Sequence, residues 1–81
     1  MDNLEWKQRS KSILKSELSK QSIDYNQLST KLALIGITES SANINSKINR
    51  GTFSFTFFLQ CMKAIQTNNI TIDNKENTYE K

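Results

Sequence analysis

The chain has no proline and only two glycines in 81 residues, and the glycines bracket one polar stretch, "GITESSANINSKINRG", from Gly36 to Gly51. Without proline nothing interrupts a helix from within, so breaks between helices have to come from glycine and from capping side chains. That arrangement favours a few helices whose ends are written in the sequence. It also raises the question of why both glycines guard the same asparagine-rich segment.

Helical periodicity predicts four helices, at about 4–20, 25–35, 39–50 and 54–66. In the first, Trp6, Ile13, Leu14 and Leu18, with small Ser10 between them, share a face, while Lys7, Lys11 and Lys15 form a basic ridge on another. Such a ridge is either a solvated face or a partner contact. The second helix opens at Asp24, a good N-cap, with Gln27 in the return position of a capping box. Leu28, Leu32 and Ile35 form its inward stripe, with Tyr25 at its start and Leu34 beside it. Gly36 then takes the left-handed position that ends a helix. The third helix has Thr38 or Ser40 as cap, a narrow inward stripe of Ile37, Ser41, Ile44 and Ile48, and Gly51 as its stop. In the fourth, capped by Thr52 or Ser54, the inward face is drawn from Phe55, Phe58, Leu59, Met62 and Ile65. Phe53 and Phe57 are left for neighbours or a second subunit. In the tail, 67–81, Ile70 and Ile72 alternate with polar residues, a pattern for a short strand at 69–73 that pairs with its copy in a dimer; residues 74–81 read as a frayed end. The expected fold is an all-α, compact four-helix domain with this short C-terminal strand, residues 1–66 forming the domain.

Composition narrows the function. With 36% hydrophobic residues and seven aromatics the chain can fold, but only around a small core, which makes a homodimer a plausible source of stability. There is no histidine and a single cysteine. That removes the Ser-His and Cys-His nucleophile pairings and most of the side chains that hold transition metals, so no enzyme activity, no metal and no cofactor are expected. The opening "MDNLEWKQRSKS" has no apolar core of a secretory leader, and Cys61 has no disulfide partner. No apolar run approaches the roughly 18 residues of a membrane span. A cytoplasmic protein with no membrane contact is expected. Residues 6–65 hold nine basic residues against three acidic ones, a net of +6 within a chain of net +3, which suits a polyanion. The general richness in Lys, Asn and Ile is the competing explanation.

A capped helix, a glycine turn and a short helix with a thin apolar stripe make the pattern of a helix-turn-helix, whose second helix enters the major groove. Opposite Ile44 and Ile48 lie Glu39, Ala42, Asn43, Ser46, Asn49 and Arg50. Asn suits adenine, Arg guanine, Ser either, and Ala a thymine methyl. Lys47, on the flank, is expected to meet phosphate together with Lys31 and the start of the second helix around Tyr25 to Gln27. Glu39 serves either the positive end of its helix or a cytosine amine. A solvated helix face is polar in any case, and Arg50 could equally cap or form a salt bridge. Yet Asn43, Asn45 and Asn49 weaken a helix, a cost more readily understood if the face has a task.

The run "LSTKLALIGITESSANINSKINRGTFSFTFFLQCMKAI" resembles the helix-turn-helix core of lambda-repressor-like (Cro/C1-type) regulators, in which "L…L…G(V/I)" leads to a recognition helix ending in "I…RG". Two more residues stand between Ile37 and Ile44 than those regulators have. The span from Trp6 to Ile65 more closely resembles an uncharacterised bacterial domain family of unknown function, with "LK.EL", "Y..L", "GI.ES..N", "KI.RG.F" and "QC..AI" all matched. The repressor resemblance implies a transcriptional regulator binding double-stranded DNA through Ala42, Asn43, Ser46, Lys47, Asn49, Arg50, Lys31 and Gln27. A homodimer would use Phe53, Phe57, Ile70 and Ile72. The alternative is a protein interaction module that presents the aromatic fourth helix, its basic face incidental.

Overall fold

The computed structural model describes residues 2–72. Its helices are α1 (Asn3–Lys20), α2 (Tyr25–Leu34), α3 (Ser41–Arg50) and α4 (Phe55–Ala64), and the fold is all-α. A side-chain cap fixes each start. Asp2 and Glu5 form a reciprocal box, each accepting from the other's backbone N–H at 2.9 Å. Asp24 and Gln27 do the same at 2.8 Å. Ser40 and Ser54 accept from the Asn43 and Phe57 amides at 3.0 and 2.9 Å. The cap of α3 is therefore Ser40 rather than Thr38, so Glu39 lies before the helix and α3 begins later than the spacing suggested.

The ends are as regular as the starts. After α1, α2 and α4 the residue beyond the cap turns left-handed, and the next amide reaches back to close a six-residue loop: Ile23 to the Leu18 carbonyl (3.0 Å), Ile37 to Leu32 (2.9 Å) and Thr67 to Met62 (2.9 Å). Only one of these left-handed positions is glycine. Gly36 has φ +84°, whereas Ser22 (+56°) and Gln66 (+59°) carry side chains in a conformation that disfavours them. The motif folds Ile23 and Ile37 back onto the core.

Leu14 and Leu18 of α1, Leu28 and Leu32 of α2, Ile44 and Ile48 of α3, and Phe57, Phe58, Cys61 and Met62 of α4 form the buried centre, closed by Ile65. α2 packs against both α3 and α4, and α1 lies along α3. The α1–α3 contact is made at backbone level. Gly51 (φ +69°) ends α3 so close to α1 that a Cβ there would stand 2.3 Å from the Lys7 carbonyl oxygen.

Several expectations need correcting. In α4, Phe55 (71% exposed) and Leu59 (52%) point outward, while Phe57 and Cys61 point in. The run is apolar almost all round, so hydrophobicity left its phase undetermined; the stripe at i, i+1, i+4, i+5 and i+8 from Phe57 is the buried face, and α4 packs on α2. Phe57 thus packs in the core of its own chain, the first of the two places that the sequence left open for it. Trp6 stands outside the core, more than half exposed, because the buried part of α1 begins only at Leu14, and Ile35, the cap residue of α2, is partly exposed. Residues 69–72 form no strand; position 73 and the expected frayed end lie outside the described residues.

Candidate nucleic-acid interface

α3 owes its position to a clamp that begins just before it. The Glu39 carboxylate, largely buried, forms an ion pair with Lys47 two turns along α3. The Glu39 backbone carbonyl accepts a hydrogen bond from the Ser29 hydroxyl on α2, and the Lys47 ammonium lies 4.9 Å from the centre of the Phe57 ring on α4. Three helices are therefore tied together at the connection between α2 and α3. Spacing alone gives the two residues separate roles, Glu39 a dipole or base contact and Lys47 a phosphate contact. The structure engages them with each other, and each neutralises the charge of its neighbour.

Behind this clamp sits Cys61, fully buried. Burial, with the Glu39 carboxylate adding and Lys47 opposing, pushes its thiol up to about 12. A thiol so far from ionising is a packing residue and no nucleophile. Among the described residues no group of His, Cys, Asp and Glu is arranged to hold a metal ion, and no helix is long and apolar enough to cross a membrane.

With Ile44 and Ile48 buried, α3 turns Ala42, Asn43, Ser46, Asn49 and Arg50 to solvent. These five expected contacts share one exposed face, and no carboxylate lies among them. Asn45, by its type only a weak helix former, joins them at the edge. Its side-chain oxygen accepts from the Asn49 amide at 2.7 Å. One N–H pair on Asn45 and one carbonyl oxygen on Asn49 are left over, a donor and an acceptor on neighbouring turns. A shallow groove beside this face runs between Asp24, Tyr25 and Asn26 at the start of α2 and Ser41, Ala42 and Asn45 of α3. Burial raises the Tyr25 pKa there.

Of the other two residues expected at the same interface, Gln27 stays at the start of α2, its side-chain oxygen accepting from the Asp24 amide in the capping box. Lys31 lines a different cleft, with Leu34, Ile35, Met62 and Lys63, on the opposite side of α2 from Tyr25, Asn26 and Ser29, which meet α3. The spacing explains this: Lys31 is two residues past Ser29, a rotation of about 200° on a helix. Gly51 seats the end of α3 on the backbone of Lys7, the first residue of the Lys7, Lys11 and Lys15 ridge of α1. Of the residues assigned to a dimer, Phe53 meets Phe57 edge-on at 6.0 Å, Ile70 packs on its own core, and Ile72 is exposed.

The fold and its surface define a small all-α domain with an exposed polar face on α3. The chain belongs to the family described as Domain of unknown function (DUF6471), which residues 6–70 match. No curated protein matches it. No solved structure matches it either.

Proposed function

We propose that the chain binds double-stranded DNA, with α2 and α3 as a helix-turn-helix, α3 as the reading helix, and a role in transcriptional regulation. The observation that carries this reading is the exposed face of Ala42, Asn43, Ser46, Asn49 and Arg50, none of them a carboxylate, with the nearby Glu39 paired to Lys47. Short polar side chains of this kind reach base edges, and Arg50 pairs with guanine or phosphate. The free donor of Asn45 and acceptor of Asn49 suit an adenine edge. Lys7, Lys11 and Lys15, which start beside the end of α3, supply sequence-independent attraction to phosphate. The connection of α2 to α3 is longer than in lambda-repressor-like regulators, and the Ser29–Glu39–Lys47 clamp gives that longer turn a fixed shape.

The test uses exposed residues, so that folding is spared. In an electrophoretic or anisotropy assay on a selected duplex, Asn49→Asp places a negative charge on the reading face and should weaken binding at least about tenfold. Thr30→Asp, exposed on α2, should change it little. Equal effects of the two, or none from Asn49→Asp, would remove α3 from the interface.

A further inference from the structure

A second surface lies on the other side of α2. The C-terminal halves of α2 and α4 leave a cleft of about 410 Å³ whose lining includes Lys31, Leu34, Ile35, Met62 and Lys63. Leu34 is 81% exposed, far more than an apolar residue on a packed helix needs to be. One and two turns back along the same face of α4 are Leu59 and Phe55, also exposed, so the apolar strip continues beyond the cleft.

Charge decides what fits. Lys31 and Lys63 both line the cleft, no carboxylate lines it, and neither lysine has an ion-pair partner among the described residues. A lysine in the last turn of a helix complements the dipole, which accounts for one lysine on each helix but not for the exposure of Leu34 in the cleft that they share. A second copy of the chain fits poorly. Two-fold packing of this face on itself would set the lysine-lined patches against each other with no acid to pair them.

We propose that this cleft docks an acidic amphipathic helix of a partner protein. Apolar side chains spaced at i, i+4 and i+7 would lie along Leu34, Ile35 and Leu59, and flanking carboxylates would meet Lys31 and Lys63. The surface is separate from α3, so a partner held here leaves the reading face open.

The probe is a fluorescein-labelled synthetic helix of about four turns, with leucines at that spacing and glutamates beside them. One control peptide has lysine for every glutamate; another has the same composition with its leucines scattered. The acidic amphipathic peptide should bind in the micromolar range, with amide shifts in NMR spectra confined to the ends of α2 and α4. Both controls should bind at least about tenfold more weakly, as should the acidic peptide to Leu34→Asp, Leu59→Asp and, independently, Lys31→Glu with Lys63→Glu. Three results would overturn the proposal: equal binding of the control peptides, shifts centred on α1 and α3, or no binding at about 100 μM. A sedimentation experiment showing a dimer that Leu59→Asp dissociates would overturn it too, by assigning the face to a second copy.

Discussion

Alanine at Gly36 and at Gly51 should have different consequences, although both glycines have positive φ. The left-handed conformation penalises any Cβ by about 1–2 kcal/mol, and alanine recovers about 0.4–1 kcal/mol by restricting the unfolded chain. Nothing else changes at Gly36, where a Cβ meets no atom within 4 Å; Gly36→Ala should cost about 1 kcal/mol. At Gly51 the added carbon would stand 2.3 Å from the Lys7 carbonyl oxygen and 2.9 Å from its carbon. Both are backbone atoms, so α1 must move off α3. Overpacking of that kind adds about 1–3 kcal/mol. With an m value of about 1 kcal/mol/M for so small a domain, urea midpoints of the two variants should differ by about 1–3 M. Asparagine sharpens the comparison, because it tolerates left-handed backbone. Gly36→Asn should recover part of the loss, and Gly51→Asn should not. Equal midpoints for the two alanine variants, or rescue by asparagine at Gly51, would refute the claim that α1 and α3 meet at backbone level.

Two further outcomes follow from local geometry. Ser22→Gly and Gln66→Gly relieve left-handed residues in loops already closed by backbone hydrogen bonds; each should stabilise by about 0.5 kcal/mol, or a few degrees in Tm. Cys61 ties stability to alkaline pH. Its folded pKa of about 12 lies above the unfolded value, so above pH 9 the unfolded chain binds fewer protons and stability falls as pH rises. Unfolding free energy should be about 1–2 kcal/mol lower at pH 10 than at pH 8, and Cys61→Ala should flatten most of that slope.

Much of this fold was legible because its helix ends are chemical. Asp24 with Gln27, Gly36 and Gly51 each announced a boundary that the structure keeps, and the Ile44–Ile48 stripe announced which side of α3 faces in. The phase of α4 was not legible, since "FTFFLQCM" offers apolar residues in nearly every direction and only packing in the fold, on α2 above all, selects Phe57 and Cys61. Cys61 held the available clue, as a small residue of a type usually buried. The Glu39–Lys47 pair was hidden for another reason. It spans a cap, and helical spacing says nothing about a side chain that precedes the helix. Lys31 was assigned by charge alone; its rotation around α2 relative to Ser29 would have placed it away from α3.

The central claim is that α3 and the adjoining basic ridge meet DNA, and its most direct test is fluorescence anisotropy of the chain with a labelled random duplex at two salt concentrations. If Lys7, Lys11, Lys15 and Arg50 neutralise about four phosphates, affinity should fall roughly 100-fold between about 50 and 200 mM salt. Binding absent at the lower salt, or indifferent to the change, would contradict the account.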